Sequence, residues 1–338
     1  MSEAEEEEQQ QAAAAATVAA PVLVYGARGW IGGLLLRAAE QQGLRCVAAQ
    51  SRAHDAPAVR AELARVRPRL VFAALGRTHG EHDGVAYGTI DYLEQPGKLP
   101  ENLRDNLVAP VTLAALCRDA RVPFASIATG CIFEADARDI ADDARPGFGD
   151  DAAPNFVGSS YSVVKGATDT LLRLHADTAL WFRIRMPITH DLHPRSFLTK
   201  IASYDKVFSV PNSMSVLDGP HGLLALFLRM ALAGYTGCYN GCNPNVMTHD
   251  EILALYRERV DPAFAWANFS LAEQSRVLAA GRSNNRLDAR KLQAAAAELG
   301  VRLPPLREAV CGVLDAVAAS RRSRAETRPP PAAAAFGQ

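Results

Sequence analysis

Tyr161 and Lys165 lie four residues apart, Thr129 and Cys131 precede them, and a glycine turn, Gly26-Ala27-Arg28-Gly29-Trp30-Ile31-Gly32, stands near the start of the chain. On a helix, residues four apart share a face. An ammonium beside a phenol lowers the phenol's pKa, and the phenol can pass a proton to a carbonyl oxygen as hydride reaches the carbon. Tyr-x-x-x-Lys alone recurs by chance in many helices. Its weight here comes from the order of the parts: glycine turn, then Thr129 at the end of an apolar run, then tyrosine and lysine. Thr129 is placed to hydrogen-bond the same oxygen. Cys131 follows it by two residues, so on extended chain both point to one side. The bland reading of Cys131 is a small buried hydrophobe. The sharper one is a thiol moving a proton at carbon beside a carbonyl, a task suited to a pKa of about 8.5 once a nearby cation lowers it. Lys200, in Phe197-Leu198-Thr199-Lys200, is the candidate acid, although its spacing alone describes an exposed surface lysine.

The glycine turn has the GxxGxxG spacing and sits between an apolar strand and a helical pattern, the context a dinucleotide fingerprint requires. Glycines let the backbone turn tightly and approach a pyrophosphate seated on the helix N-terminus. Ser51 and Arg52 follow at the end of the second strand, where an NAD site carries Asp or Glu for the ribose 2′-OH and an arginine accommodates a 2′-phosphate. NADPH is therefore expected, with NADH still possible because Asp55 stands close by. Arg282-Ser283-Asn284-Asn285 precedes a helix expected to be N-capped by Asp288. Arginine with flanking amides suits a diphosphate, and a polar capping loop is the plain alternative.

These residues need a scaffold, and the first half of the chain supplies its pattern. Val22-Leu23-Val24-Tyr25, Leu44 to Ala49, Leu70 to Leu75, Phe124 to Ala128 and Leu180 to Arg185 read as buried strands. Helical patterns alternate with them over Trp30–Gln42, Ala56–Val66, Asn102–Arg118 and Tyr161–Leu174. That alternation predicts an α/β fold, a Rossmann-type doubly wound parallel sheet covered on both faces, with a smaller C-terminal substrate-binding domain. Two long connections, Gly76–Pro100 and Phe133–Gly158, leave carboxyl ends of strands, where such folds bind ligands. The expected division is an acidic, Ala-rich disordered tail over 1–19, a dinucleotide-binding domain over 20–186, a substrate domain over 187–320 that may exchange elements with the first, and a disordered tail over 321–338.

A chain of 338 residues is ample for such a core. Its net charge of −1 comprises −5 in residues 1–19, +3 in residues 321–338 and about +1 between them, so no basic footprint for nucleic acid exists. The acidic start argues against a signal or transit peptide, and the longest apolar run, Leu223 to Leu228, is too short for a membrane span. A cytoplasmic protein is expected. Its six scattered cysteines read as free thiols. Cys238 and Cys242 lack a second pair or a nearby histidine, so no metal is expected.

Further segments join these: Ala128-Thr129-Gly130-Cys131-Ile132-Phe133-Glu134, Pro154-Asn155-Phe156, Ser160-Tyr161-Ser162, Arg185-Met186-Pro187-Ile188 and Pro211-Asn212-Ser213-Met214. With the glycine turn and Arg282-Ser283-Asn284-Asn285, the span from Leu23 to about Val313 resembles the bifunctional epimerase/reductase family of UDP-rhamnose synthesis. That family belongs to the extended short-chain dehydrogenase/reductases and is related to dTDP-4-dehydrorhamnose reductase. Gly76-Arg77-Thr78-His79-Gly80 resembles single-domain members rather than plant ones.

The resemblance implies a 4-keto-6-deoxy nucleotide sugar as substrate. Cys131 and Lys200 would exchange protons at C3 and C5, and Thr129, Tyr161 and Lys165 would support hydride delivery to C4. It places Gly26, Arg28, Gly29, Trp30, Ile31, Gly32, Ser51, Arg52, Ala74, Gly76 and Pro187 against the cofactor. Thr78, His79, Asn155, Arg282 and Asn284 fall against the substrate. Plant members carry an asparagine after the third strand where this chain has Ala73-Ala74-Leu75-Gly76, so that contact is gone. Residues 1–19 are too short for the dehydratase that plant members carry, so a separate 4,6-dehydratase is expected to supply the ketone. A 4,6-dehydratase activity here is disfavoured because Gly130-Cys131 replaces the Asp-Glu pair it needs. A 4-reductase alone, needing only Thr129, Tyr161 and Lys165, stays open, as does a non-catalytic dinucleotide-binding subunit. A homodimer is expected by analogy with this fold.

Overall fold

The computed structural model describes residues 20–142, 144–219, 221–269 and 281–326. The elements run β1 (Val22–Tyr25), α1 (Trp30–Gln41), β2 (Cys46–Ala48), α2 (Ala56–Val66), β3 (Leu70–Ala73), β4 (Gly80–His82) and β5 (Val85–Tyr87). A long helix α3 follows, continuous through Leu99–Leu103, Arg104–Val108 and Ala109–Asp119. Then come β6 (Phe124–Thr129), α4 (Ala137–Ala141), α5 (Ser160–Leu172), β7 (Ala179–Ile184), α6 (Phe197–Ala202) and β8 (Lys206–Val207). The last are α7 (Leu223–Leu232), β9 (Gly237–Tyr239), α8 (His249–Arg259), β10 (Ala267–Asn268), α9 (Arg290–Glu298) and α10 (Leu306–Glu326).

Six parallel strands form the central sheet in the order β2-β1-β3-β6-β7-β9. The Val- and Leu-rich runs of β1 and β3 are wholly buried, as strands covered on both faces must be. Alternation divides them: Val22 and Val24 pack with Leu34 and Leu35 of α1 on one face. Leu23 and Tyr25 pack with Val59 and Leu63 of α2 on the other. The chain runs outward from β1 to β2 and returns across β1 to β3, so a crevice opens at the carboxyl ends of β1 and β3.

Beyond Pro187 the chain does not stay apart. α7 and β9 return to the sheet and its core, while Ile188, Leu198, Met214, Ile252 and Val310 build a second core under α8 and α10. A boundary at 186/187 is therefore crossed by elements of the first lobe. Three further details differ from the sequence reading. The segment Gly76–Pro100 holds the β4–β5 hairpin and a short 3-10 turn, Ile90–Glu94. α10 continues to Glu326, past the expected tail boundary at 321, because Val313, Leu314 and Val317 anchor it in the second core. The tails assigned to 1–19 and beyond 326 lie outside the described residues. Asp288 stands one residue before the N-cap position of α9, which is Ala289, and its carboxylate accepts from the first amide of the helix, that of Arg290.

Candidate active site

Two devices set the helices that frame the crevice. In α3 the stretch Arg104–Val108 is a π turn. Pro110 has no N–H to give the Asn106 carbonyl, and the Thr168 hydroxyl donates to it from α5 at 2.7 Å. The buried Asn106 side chain then grips the loop after β3, accepting from the Arg77 amide and donating to the Arg77 carbonyl, both at 2.9 Å. α5 is fixed at its first turn. Ser159 caps it by accepting from the Ser162 amide, and the Ser160 amide donates to Glu94 at 2.8 Å.

The carboxyl ends of β1, β3, β6 and β7 open into one cavity of about 1060 Å³. Gly29, Trp30 and Ile31 line it, whereas Gly26 and Gly32 lie behind the turn and shape it. Gly26 has φ 81°, and a Cβ at Gly32 would stand 2.0 Å from the Gly26 carbonyl oxygen. The N-cap Gly29 offers no side-chain acceptor to the first-turn amides of α1, which leaves them for an anion. Ala74, Gly76 and Pro187, expected against the cofactor, line the same cavity. Arg28, Ser51 and Arg52 do not line the cavity. The Ser51 hydroxyl and amide both donate to the buried Glu62 carboxylate, at 2.6 and 3.0 Å, and Arg28 and Arg52 are exposed. Burial would raise the Glu62 carboxyl, but hydrogen bonds from Ser51, Gln50 and Tyr25 outweigh it and hold the group low.

Thr129, Cys131, Tyr161, Lys165 and Lys200 all line the same cavity. The Cys131 amide donates to the Thr129 hydroxyl oxygen at 3.0 Å. Burial lowers Lys165 to about 8. Burial raises Tyr161, the neighbouring Cys131 adds to this, and the Thr129 hydroxyl opposes it. The phenol is thus a proton donor at neutral pH; the group that lowers it is the Thr129 hydroxyl, not Lys165 as expected. Lys200 is half-buried rather than on the surface, and its ammonium donates to the Gly88 carbonyl at 3.1 Å. Burial lowers its pKa, and Arg195 and Arg282 lower it further, which makes it a stronger acid.

On the substrate side, Thr78, His79, Arg282 and Asn284 line the cavity. Arg282 is bound to Asp91 at 2.6 Å, and the Asn284 side chain accepts from Asn212 at 3.0 Å. Asn155 is not there. It is exposed, and its amide pairs with the backbone of Glu134, accepting at 2.9 Å and donating at 3.0 Å. Among the described residues no cluster of three or more His, Cys, Asp or Glu is arranged to hold a metal, and no helix is long and apolar enough to cross a membrane.

The chain is 41% identical over 278 residues to the Arabidopsis thaliana bifunctional dTDP-4-dehydrorhamnose 3,5-epimerase/dTDP-4-dehydrorhamnose reductase, spanning 82% of this chain and 88% of that one. The chain belongs to this bifunctional epimerase/reductase family. The crystal structure of the UDP-rhamnose synthase from Acanthamoeba polyphaga mimivirus superposes with a TM-score of 0.82 at 42% identity, covering 88% of this chain and 99% of that one. A dTDP-4-dehydrorhamnose reductase from Bacillus anthracis, at 12% identity and a TM-score of 0.66, shares the fold over 86% of this chain and 96% of its own. No protein-family model matches the chain. Sequence reasoning missed Asn106, Glu62 and Arg195, which carry no local motif. The one available signal was Pro110 inside an otherwise regular helical pattern.

Proposed function

We propose that the protein converts UDP-4-keto-6-deoxyglucose to UDP-rhamnose, first inverting C3 and C5 and then reducing the C4 ketone with NADPH. The observation that carries this reading is the convergence of Cys131 and Lys200 with Thr129, Tyr161 and Lys165 on one cavity wall system. A C4 ketone acidifies the hydrogens at C3 and C5. A base takes one of these, charge passes to the C4 oxygen, and an acid returns a proton from the opposite face; Cys131 and Lys200 are the pair assigned to this exchange. Thr129 stabilises the oxygen while it carries charge. Tyr161 gives that oxygen its proton in the reduction, and Lys165 holds ribose hydroxyls of the cofactor. A bound NADPH supplies the hydride. The bare first turn of α1 fits its pyrophosphate, and Arg52, exposed in the loop after β2 and outside the cavity lining, is the cation nearest the position where a 2′-phosphate is expected.

We infer that a 4,6-dehydratase reaction supplies the ketone. We place the enzyme in the cytoplasm as a homodimer; exposed Leu103 and Val108 on α3 and Val163 on α5 support pairing through that helical face. Incubation with UDP- and dTDP-linked 4-keto-6-deoxyglucose, each with NADPH or NADH, tests the reading by NMR of the product. Rhamnose formed fastest from the UDP sugar with NADPH is expected. Reduction without inversion of C3 and C5 would leave only a 4-reductase.

A further inference from the structure

Among the described residues two arginines line the cavity, and their partners differ. Arg282 is neutralised by Asp91 at 2.6 Å. Arg195 meets no carboxylate among the described residues; its guanidinium touches the His79 Nε2 instead. Its neighbour Arg77 is already paired with Glu101 at 2.9 Å and Asp105 at 3.1 Å. A guanidinium has no lone pair to offer, so Nε2 of His79 must accept, and the ring proton then sits on Nδ1. There it faces the Thr78 hydroxyl at 3.4 Å. Burial first, then Arg195 and Arg77, push His79 down to about 4, so the ring is a neutral acceptor at working pH.

The backbone holds Arg195 equally firmly. Its amide donates to Nδ1 of His193 at 3.1 Å, and the His193 ring stacks on Trp30 of the glycine turn with centroids 5.0 Å apart. The buried Ser196 hydroxyl next to it accepts from the Thr189 amide at 3.1 Å. A cation braced by a neutral ring and aimed into a cavity has its charge left for a ligand. The cofactor pyrophosphate has the first turn of α1, and the ketone oxygen has Thr129 and Tyr161. The anion left over is the substrate's own diphosphate.

We propose that Arg195 grips the diphosphate of the nucleotide sugar, and that His79 is a positioning residue that holds the guanidinium in place rather than a sugar contact. This rests on the nucleotide-sugar reading above. The test is calorimetric binding of UDP and of uridine to the NADPH-loaded protein, which needs no turnover. Arg195→Leu is expected to weaken UDP by roughly 10- to 100-fold, the worth of charge-assisted hydrogen bonds, and to leave uridine and NADPH binding unchanged. His79→Leu is expected to weaken UDP several-fold, and His79→Gln, whose amide oxygen can accept from Arg195, to restore it. Unchanged UDP affinity in Arg195→Leu overturns the proposal, as does equal loss for UDP and uridine, or a loss confined to NADPH. Failure of His79→Gln to recover what His79→Leu loses removes the positioning role. A wild-type protein that binds neither UDP nor uridine contradicts the nucleotide-sugar reading itself.

Discussion

The amide of Cys131 donates to the hydroxyl oxygen of Thr129 at 3.0 Å, so the thiol and the hydroxyl share one turn at the end of β6. The Cys131 amide takes one acceptor position of the Thr129 oxygen, and the hydroxyl proton can go to the Tyr161 oxygen beside it or to a ketone oxygen. Both chemical steps put charge on the ketone oxygen, so Thr129→Val should slow both, by roughly 100-fold in kcat, the typical cost of one lost donor to such an oxygen. Parallel assays of solvent exchange and of NADPH oxidation check this. Slowing of one step alone would assign the hydroxyl to that step.

Tyr161 enters only when the oxygen must receive a proton. Tyr161→Phe is expected to cut NADPH oxidation by roughly 100- to 10,000-fold, while exchange of substrate hydrogens with solvent continues. Single-turnover absorbance and NMR, run on the same sample, separate the two. Equal loss of both would make the phenol part of the exchange machinery.

Lys165, at about 8 in the protein free of ligands, predicts a pH dependence of cofactor binding. The ammonium, not the amine, is the donor to ribose hydroxyls. Affinity for NADPH should therefore be level below about 8 and fall as pH rises above it. The loss is at most tenfold per pH unit, until the raised pKa of the complex is reached. Fluorescence titration between pH 7 and pH 9.5 would show the fall; a flat profile would contradict it.

The sheet and the cofactor turn were legible because their signals are local: continuous apolar strands, glycines between strand and helix, and two residues four apart on a helix. The groups that hold the site in place were not. Glu62 sits mid-helix with no pattern around it, and only the fold brings it to Ser51. Arg195 lies on a loop far in sequence from His79, so their contact has no trace in spacing. Asn155 was read as a substrate contact from its neighbours' resemblance, but its short amide finds the Glu134 backbone first. β9 is three residues long and comes after the second lobe has begun, too short a run to mark a return to the first sheet.

The scaffold behind the cavity depends on a buried ion pair. Arg183 and Asp169 meet through two hydrogen bonds, at 2.8 and 2.6 Å, and the Trp181 indole donates to the same carboxylate at 3.0 Å. Both charged side chains are almost wholly buried. Removing one charge strands the other, so Asp169→Asn should cost about 3–5 kcal/mol of stability, measured by urea unfolding. A change below about 1 kcal/mol would mean that solvent reaches the pair.

The claim at the centre is that Cys131 moves protons beside the ketone before hydride arrives. Incubating UDP-4-keto-6-deoxyglucose with the enzyme in heavy water, followed by NADPH and NMR of the product, reads it directly. Wild-type protein should give rhamnose carrying deuterium at C3 and C5, and Cys131→Ala should incorporate none while still reducing a sugar already inverted at both carbons. Undiminished deuterium in Cys131→Ala would contradict the account.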